Sequence, residues 1–159
     1  MKVSKPFSHV DAAGKLHMVD VSGKAPTRRT SHASCRVITD IDIAELKSGD
    51  FDPVHAARVA GILAAKQTAI LIPLCHPIDI SDVQVEVAPF SGGLEIEAKV
   101  VTVDHTGVEM EALVACALTA LGIVNALLDD DPSAHVEDLV LLKKTGGKSG
   151  DWGQLVPPV

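Results

Sequence analysis

The stretch VQVEVAPFSGGLEIEAKVVTV, residues 83–103, alternates apolar with polar or charged side chains on both sides of a short turn. A period of two places the apolar side chains on one face of a strand and the polar ones on the other. Ser91-Gly92-Gly93 supplies the residue types that a tight turn between antiparallel strands requires. This segment therefore predicts a β-hairpin with one face against a core and one face in water.

Two predicted helices and two further strands surround this hairpin. Residues 28–39 contain β-branched side chains between turn formers, which indicates a strand. Residues 53–68 predict a helix with proline in its first turn. A second helix is predicted to begin after Gly107, and residues 136–144 predict a last strand. The order strand, helix, strand, strand, helix, strand is that of the ferredoxin-like α+β fold, an antiparallel sheet with helices on one face.

Length and composition fit one domain with an aliphatic core. The chain has 159 residues, of which 47% are hydrophobic and only 3% aromatic, and this length suffices to bury a core. Within a single domain spanning residues 1–159, residues 1–25 are predicted to form an N-terminal arm and residues 150–159 a C-terminal tail. The net charge of −7 argues against nucleic acid as a partner, because phosphate backbones select basic surfaces.

The cysteines and histidines predict a cytoplasmic protein without a metal site. Cys35, Cys75 and Cys116 are widely spaced and form no CxxC pattern, which is typical of reduced thiols. The first residues of the sequence lack the apolar run of a signal peptide. The seven histidines show no HxxxH or HxxE spacing, so neither a metal ion nor another cofactor is predicted.

The segment from Ala112 to Leu128 is almost entirely apolar apart from Asn125 near its end. It approaches the length of a membrane span, but acidic residues flank it without a Lys or Arg, and no membrane association is predicted. A helix that is apolar all round is normally buried all round. Since one layer of helices on a sheet leaves each helix an outward side, a second copy of the chain is predicted to cover this one in a homo-oligomer.

Two further segments contain residues that could carry chemistry. LIPLCHP, residues 71–77, places Cys75 and His76 in a stiff proline-bounded loop, which indicates either a ligand-facing loop or a structural turn. KKTGGKSG, residues 143–150, fails the phosphate-loop pattern because Leu142 stands where that pattern needs glycine. Its glycine-rich backbone and lysines still suit an anionic ligand, although a solvated flexible tail is an equal alternative.

Three other short features have simple structural interpretations. Glu109 and Glu111 lie at the start of the second helix, where the helix dipole favours negative charge.

Glu111 and Asn125 share a helical face but lie roughly 20 Å apart along the axis. Both could therefore contact one small molecule only if a neighbouring copy of the helix ran antiparallel to it. Residues 17–20, HMVD, are predicted to form at most an edge strand.

Five motifs taken together resemble one family. They are HMVDVS (17–22), ARVAGILAAKQT (57–68), LIPLCHP (71–77), TGVEMEAL (106–113) and GGKSGDW (146–152). In this order they resemble the cyclic pyranopterin monophosphate synthase family of molybdenum cofactor biosynthesis, from about residue 9 to residue 152. The resemblance implies a lyase that converts 3′,8-cyclo-7,8-dihydro-GTP to cyclic pyranopterin monophosphate and pyrophosphate. It also implies ferredoxin-like subunits in a homohexamer assembled from dimers, with active sites between subunits.

The resemblance also implies which residues form the site. Positions matching the family's substrate-binding residues are Lys66, Leu74, Cys75, His76, Met110, Glu111, Lys144 and Lys148. The lysines would suit the charge of a triphosphate. The candidate catalytic residues are Asn125, at the position of a family aspartate, together with His76 and Lys47.

The sequence departs from the family at catalytic positions. Asn125 replaces the aspartate, and Leu128 replaces a catalytic lysine three residues later. The loop before the first helix reads Ser48-Gly49-Asp50 where the family has Lys-Gly-Asp, with Lys47 one position early. An amide cannot accept and return a proton near neutral pH, and general acid–base groups contribute roughly 10²- to 10⁴-fold each. Changing Asn125 and Leu128 together avoids leaving a buried carboxylate without its partner.

Three functions are compatible with these departures. The chain could be an active synthase in which Lys47, His76 or Lys144 takes over proton transfer. It could be a paralogue that keeps the nucleotide pocket and performs a different or slower reaction. It could also be a non-catalytic binding or structural subunit, although retention of His76, Glu111 and the GGKSG segment favours the first two.

Overall fold

The computed structural model describes residues 8–42 and 52–154, which form one five-stranded antiparallel sheet and three helices. In chain order the elements are β1 (Thr27–Ile38), α1 (Pro53–Lys66), α2 (Thr68–Leu71), β2 (Ile80–Phe90), β3 (Gly93–Asp104), α3 (Glu109–Leu127), β4 (His135–Thr145) and β5 (Trp152–Gly153). The strand order is β2-β3-β1-β4-β5. The first four strands have the ferredoxin-like order, so the predicted fold is confirmed.

The predicted hairpin forms β2 and β3, with Phe90 opposite Gly93 at the turn. Gly93 has a φ of 144°, and a Cβ atom there would lie 2.0 Å from the Val37 carbonyl oxygen of β1. Only glycine permits both this conformation and this close approach. On the inner face Ile96 and Val100 are fully buried beneath the helices, as the alternation predicts.

The start of α1 follows the predicted pattern, with proline in the first turn. The Asp52 side chain accepts hydrogen bonds from the backbone amides of Val54 and His55, which caps the helix. Further along, α1 packs closely on α3 through small residues. A Cβ atom at Gly61 would lie 2.0 Å from Thr119 Oγ1, so the two helices touch almost backbone to backbone.

Helix α3 is buried on the side that faces the sheet and α1, and uncovered on its outward side. Ala112, Cys116 and Leu127 are inaccessible, whereas Leu121 and Leu128 are 53% and 47% exposed. Among the described residues it is the one helix long and apolar enough to span a membrane. Half of its most apolar 18-residue stretch is buried within the chain. Its packing is that of a core helix with one open side, and this is the side that we predict from the sequence to be covered by a second copy.

Two segments differ from the predicted organisation. Residues 17–20 form no strand, so the edge-strand interpretation is wrong; the nearest pairing is a single bridge between Val10 and Leu16. The predicted C-terminal tail contains β5, where Trp152 pairs with Lys144 of β4. Two residues are too few to show a period-two pattern, which explains why β5 was not predicted.

Candidate functional site

A cleft of about 560 Å³ opens at one end of the sheet. Four segments meet there: the N-terminal arm, the proline-bounded loop, the first turn of α3 and the glycine-rich loop of residues 146–150. The cleft is lined by Ser8, His9, Val19, Val21, Lys24, Leu74, Cys75, His76, Ile78, Thr106, Gly107, Glu109, Met110, Glu111 and Ser149. It combines aliphatic walls with groups that titrate or donate hydrogen bonds.

The proline-bounded loop fixes the orientation of the His76 ring. Leu74 has a φ of 70°, a left-handed conformation that costs a branched residue roughly 1 kcal/mol or more. Beyond it, His76 Nε2 donates a hydrogen bond to the Val19 carbonyl oxygen at 2.8 Å. Because a carbonyl can only accept, Nε2 carries a proton, and in the neutral form of the ring Nδ1 is then the acceptor.

Glu111 is a buried carboxyl group in the wall of the cleft, only 3% exposed. Burial raises the pKa of Glu111 to about 7, and the nearby charge of Glu109 adds to the rise. Burial, with a contribution from Glu111, also raises the pKa of the Cys75 thiol. Near neutral pH the Glu111 carboxyl group can therefore both release and accept a proton, whereas Cys75 is held as a thiol.

The glycine-rich loop is tied to the start of α3 by an ion pair. Lys144 Nζ lies 3.0 Å from Glu109 Oε1 and donates to Ser149 Oγ at 3.1 Å. Gly146 donates its backbone N–H to Asp151 Oδ1, which closes the loop on itself. Glu109 and Ser149 line the cleft, so Lys144 connects two of its walls.

The structure brings together five of the sequence-predicted site residues and leaves others apart. Those lining the cleft are Leu74, Cys75, His76, Met110 and Glu111. Lys144 does not line the cleft, but its ammonium group bonds Glu109 and Ser149, which do.

The remaining predicted residues lie elsewhere. Lys66 lies on a separate shallow cleft with Ile62 and residues 80–83. Lys148 is exposed and does not line the main cleft. Asn125 is exposed on the open side of α3, not in the cleft of its own chain. Lys47 lies outside the described residues.

Sequence reasoning missed the contribution of the N-terminal arm. Val19, Val21 and Lys24 form a wall of the cleft although the segment has no regular periodicity. The HMVDVS motif was the available signal, since it contains Val19 and Val21. Within the two described ranges, no group of three His, Cys, Asp or Glu side chains is placed to hold a metal ion.

Comparison with known proteins gives a consistent result over nearly the whole chain. Residues 18–147 match the model of the MoaC family. A relative from Nocardioides sp. (strain JS614) is 47% identical over 155 residues, covering 93% of this chain and 95% of the relative. One from Streptomyces avermitilis is 45% identical over 152 residues, covering 93% and 89%. Both are named cyclic pyranopterin monophosphate synthase.

A third relative, from Mycobacterium bovis, is named cyclic pyranopterin monophosphate synthase 2. It is 42% identical over 155 residues, covering 94% of this chain and 92% of the relative. The family match spans the end of the arm from residue 18, the proline-bounded loop and the first turn of α3, parts of three of the four segments that build the cleft. This chain belongs to the MoaC family.

Proposed function

We propose that this chain is a cyclic pyranopterin monophosphate synthase, a lyase of molybdenum cofactor biosynthesis. Its reaction would convert 3′,8-cyclo-7,8-dihydro-GTP to cyclic pyranopterin monophosphate with release of pyrophosphate. The observation that carries the proposal is the cleft, where Leu74, Cys75, His76, Met110 and Glu111 converge in a chain 42–47% identical to proteins with that name.

The chemistry of the cleft suits a nucleotide-derived substrate. Its volume of about 560 Å³ is in the range of small-molecule sites. Val19, Leu74 and Met110 offer apolar surface for a planar ring system. Glu111, with a pKa of about 7, is poised for proton transfer while rings open and reclose. The acceptor at His76 Nδ1 would orient the substrate or receive a proton from it.

Cations for the phosphate groups surround the cleft. Lys24 lines it, and Lys144 reaches its wall with one bond to Glu109 and one to Ser149. An ammonium group has three donors, so Lys144 can add a phosphate oxygen to these partners. Lys148 lies in the glycine-rich loop, next to Ser149. The backbone N–H groups of that loop would add hydrogen-bond donors for the phosphate oxygens.

We further propose that a second copy of the chain completes the site. The outward sides of α1 and α3 form an exposed apolar surface, the outer helical face, consisting of Val59, Leu63, Leu121 and Leu128, which are 47–53% exposed. Asn125 lies on this face, away from the cleft of its own chain. Burying the face in a homo-oligomer, for which we propose a homohexamer assembled from dimers, would carry Asn125 toward a neighbour's cleft.

The second candidate is a paralogue that binds the same nucleotide and has altered or lost catalysis. The observation favouring it is the pair Asn125 and Leu128, where the family carries aspartate and lysine. Neither residue can take the proton-transfer role of the group it replaces. We propose a cytoplasmic location for either form, in keeping with three free cysteines within the described residues.

One assay with the purified chain separates these functions. Pterin and pyrophosphate formation from 3′,8-cyclo-7,8-dihydro-GTP is followed, and binding is measured by calorimetry. Turnover by the unmodified chain supports the synthase. Binding without turnover supports the paralogue, and the double variant Asn125→Asp/Leu128→Lys should then gain activity. Absence of both binding and turnover contradicts both functions.

A further inference from the structure

The guanidinium group of Arg29 lies at the junction of the cleft walls without lining the cleft itself. From β1, its Nε donates to the Asp104 carbonyl oxygen at 3.1 Å and its Nη2 donates to the His105 carbonyl oxygen at 3.0 Å. These carbonyls immediately precede Thr106 and Gly107, which line the cleft. Two bonds from one planar group to successive carbonyls fix the turn that leads into α3.

The same guanidinium group supports the glycine-rich loop. Gly147 has a φ of 78°, and a Cβ atom there would lie 2.4 Å from Arg29 Nη1. The preceding Gly146 rests in the same way on the backbone of Arg28, whose carbonyl oxygen would lie 2.3 Å from an added Cβ. The loop therefore lies directly against the start of β1, two residues before Ser149 enters the cleft wall.

The turn held by Arg29 also holds the N-terminal arm. His105 donates a hydrogen bond through Nδ1 to the Lys24 carbonyl oxygen, and Lys24 lines the cleft. The turn is further closed by a bond from the His105 backbone N–H to the Asp104 side chain. Fixing the carbonyls of Asp104 and His105 thus sets the arm, the entry to α3 and the glycine-rich loop relative to one another.

We infer that Arg29 is a positioning residue for the cleft, acting through the 104–107 turn and Gly147 rather than by contact with the ligand. For substrate affinity this inference rests on the proposed function, while its effect on the two segments is independent of any substrate. The role depends on the fork of donors as well as on the positive charge. Lysine has a single ammonium group and cannot reproduce the planar fork.

The test compares Arg29→Ala and Arg29→Lys with Arg28→Ala. Arg28 precedes Arg29 on β1 and has an exposed side chain, so its removal gives the same loss of charge. Hydrogen–deuterium exchange is measured at residues 104–107 and 146–150, together with the melting temperature. KM and kcat are then measured with 3′,8-cyclo-7,8-dihydro-GTP.

Both Arg29 variants are expected to exchange faster at these two segments but not throughout the chain, with a melting temperature close to that of Arg28→Ala. Their KM should rise roughly 10- to 100-fold with little change in kcat, because misplaced binding groups weaken productive binding. If Arg29→Ala does not fold, Arg29→Lys carries the test.

Three results would overturn the inference: exchange that rises throughout the chain, an Arg29→Lys protein that behaves like wild type, or Arg29 variants no different from Arg28→Ala. If no variant and no wild-type protein acts on or binds the nucleotide, the proposed function fails, and the exchange measurement still decides the role of Arg29.

Discussion

The Lys144 ammonium group lies 3.0 Å from a carboxylate oxygen of Glu109, with the two side chains 26% and 30% exposed. The pair joins β4 to the first turn of α3 beside the cleft. Because Lys144 also donates to Ser149, its position determines how the glycine-rich loop lies against the helix. The charge that would meet a phosphate is therefore already held in place before any ligand arrives.

A double-mutant cycle with Glu109→Gln and Lys144→Gln should give a coupling energy of about 1 kcal/mol in urea unfolding, the upper end for a partly exposed ion pair. The coupling should shrink in high salt, since screening weakens such pairs. Lys143→Gln, a change at the exposed neighbouring position of β4, is the control and should show no coupling with Glu109→Gln. Equal couplings for Lys143 and Lys144 would contradict the ion pair.

The buried carboxyl group of Glu111 should make stability depend on pH. Its pKa rises from 4.5 to about 7 on folding, so between these values the folded state holds a proton that the unfolded chain has released. The free energy of unfolding should therefore fall as pH rises from 4.5 to 7, by about 3 kcal/mol in total, and level off above.

Chemical denaturation of Glu111→Gln at pH 4.5 and pH 8 checks this expectation. The variant has no carboxyl proton to lose, so its stability should improve relative to wild type as pH rises. Glu86→Gln, which removes an exposed carboxylate on β2, is the control. A wild-type profile that keeps its full slope after Glu111→Gln would show that another group is responsible.

The contact between α1 and α3 should not tolerate a methyl group at Gly61. An added Cβ would lie 2.0 Å from Thr119 Oγ1 and 2.7 Å from the Ala115 carbonyl oxygen. The hydroxyl group can rotate away, but the carbonyl belongs to the helix backbone. Gly61→Ala should therefore destabilise the protein by about 2 kcal/mol, even after its gain in helix propensity.

Gly122→Ala is the matched comparison, because its added Cβ would lie 3.0 Å from the Ala57 side chain. Its packing cost should nearly cancel the gain in helix propensity of about 1 kcal/mol. Thermal or urea unfolding of both variants should thus separate them clearly. Equal stabilities would mean that the helices can move apart without cost.

The outer helical face should mediate self-association. Wild-type protein is expected to show six times the 16.6 kDa chain mass in size-exclusion chromatography with light scattering. Leu121→Asp places a charge on that face, where Leu121 is 53% exposed in the single chain, and should produce smaller particles. Leu139→Asp, at a 43% exposed position on β4, is the control. A wild-type mass of one chain would refute the interface.

The sequence could predict those parts of the fold that follow from hydrophobic periodicity and from the residue types of single turns. The hairpin of β2 and β3, the proline start of α1 and the fold order follow from spacing and turn chemistry. Motif resemblance grouped Leu74, Cys75, His76, Met110 and Glu111 as site residues, and the structure places these residues, from two separate segments, around one cleft.

The remaining features depend on contacts between distant segments. The arm residues Val19 and Lys24 lie in the cleft wall because His76 and His105 bind their carbonyl oxygens. Backbone carbonyls exist at every position, so no residue pattern marks the two that are used. The role proposed for Asn125 would likewise depend on a neighbouring chain, and a single sequence carries no geometry for that contact.

The short strand β5 gives the molecule a natural optical reporter. The chain has one Trp and no Tyr, and Trp152 is 44% exposed opposite Lys144. Nearly all ultraviolet emission of the protein therefore originates from one indole beside the glycine-rich loop, whose Ser149 lines the cleft. Quenching or a wavelength shift on titration with a nucleotide would report a change in the surroundings of that indole, with no label attached.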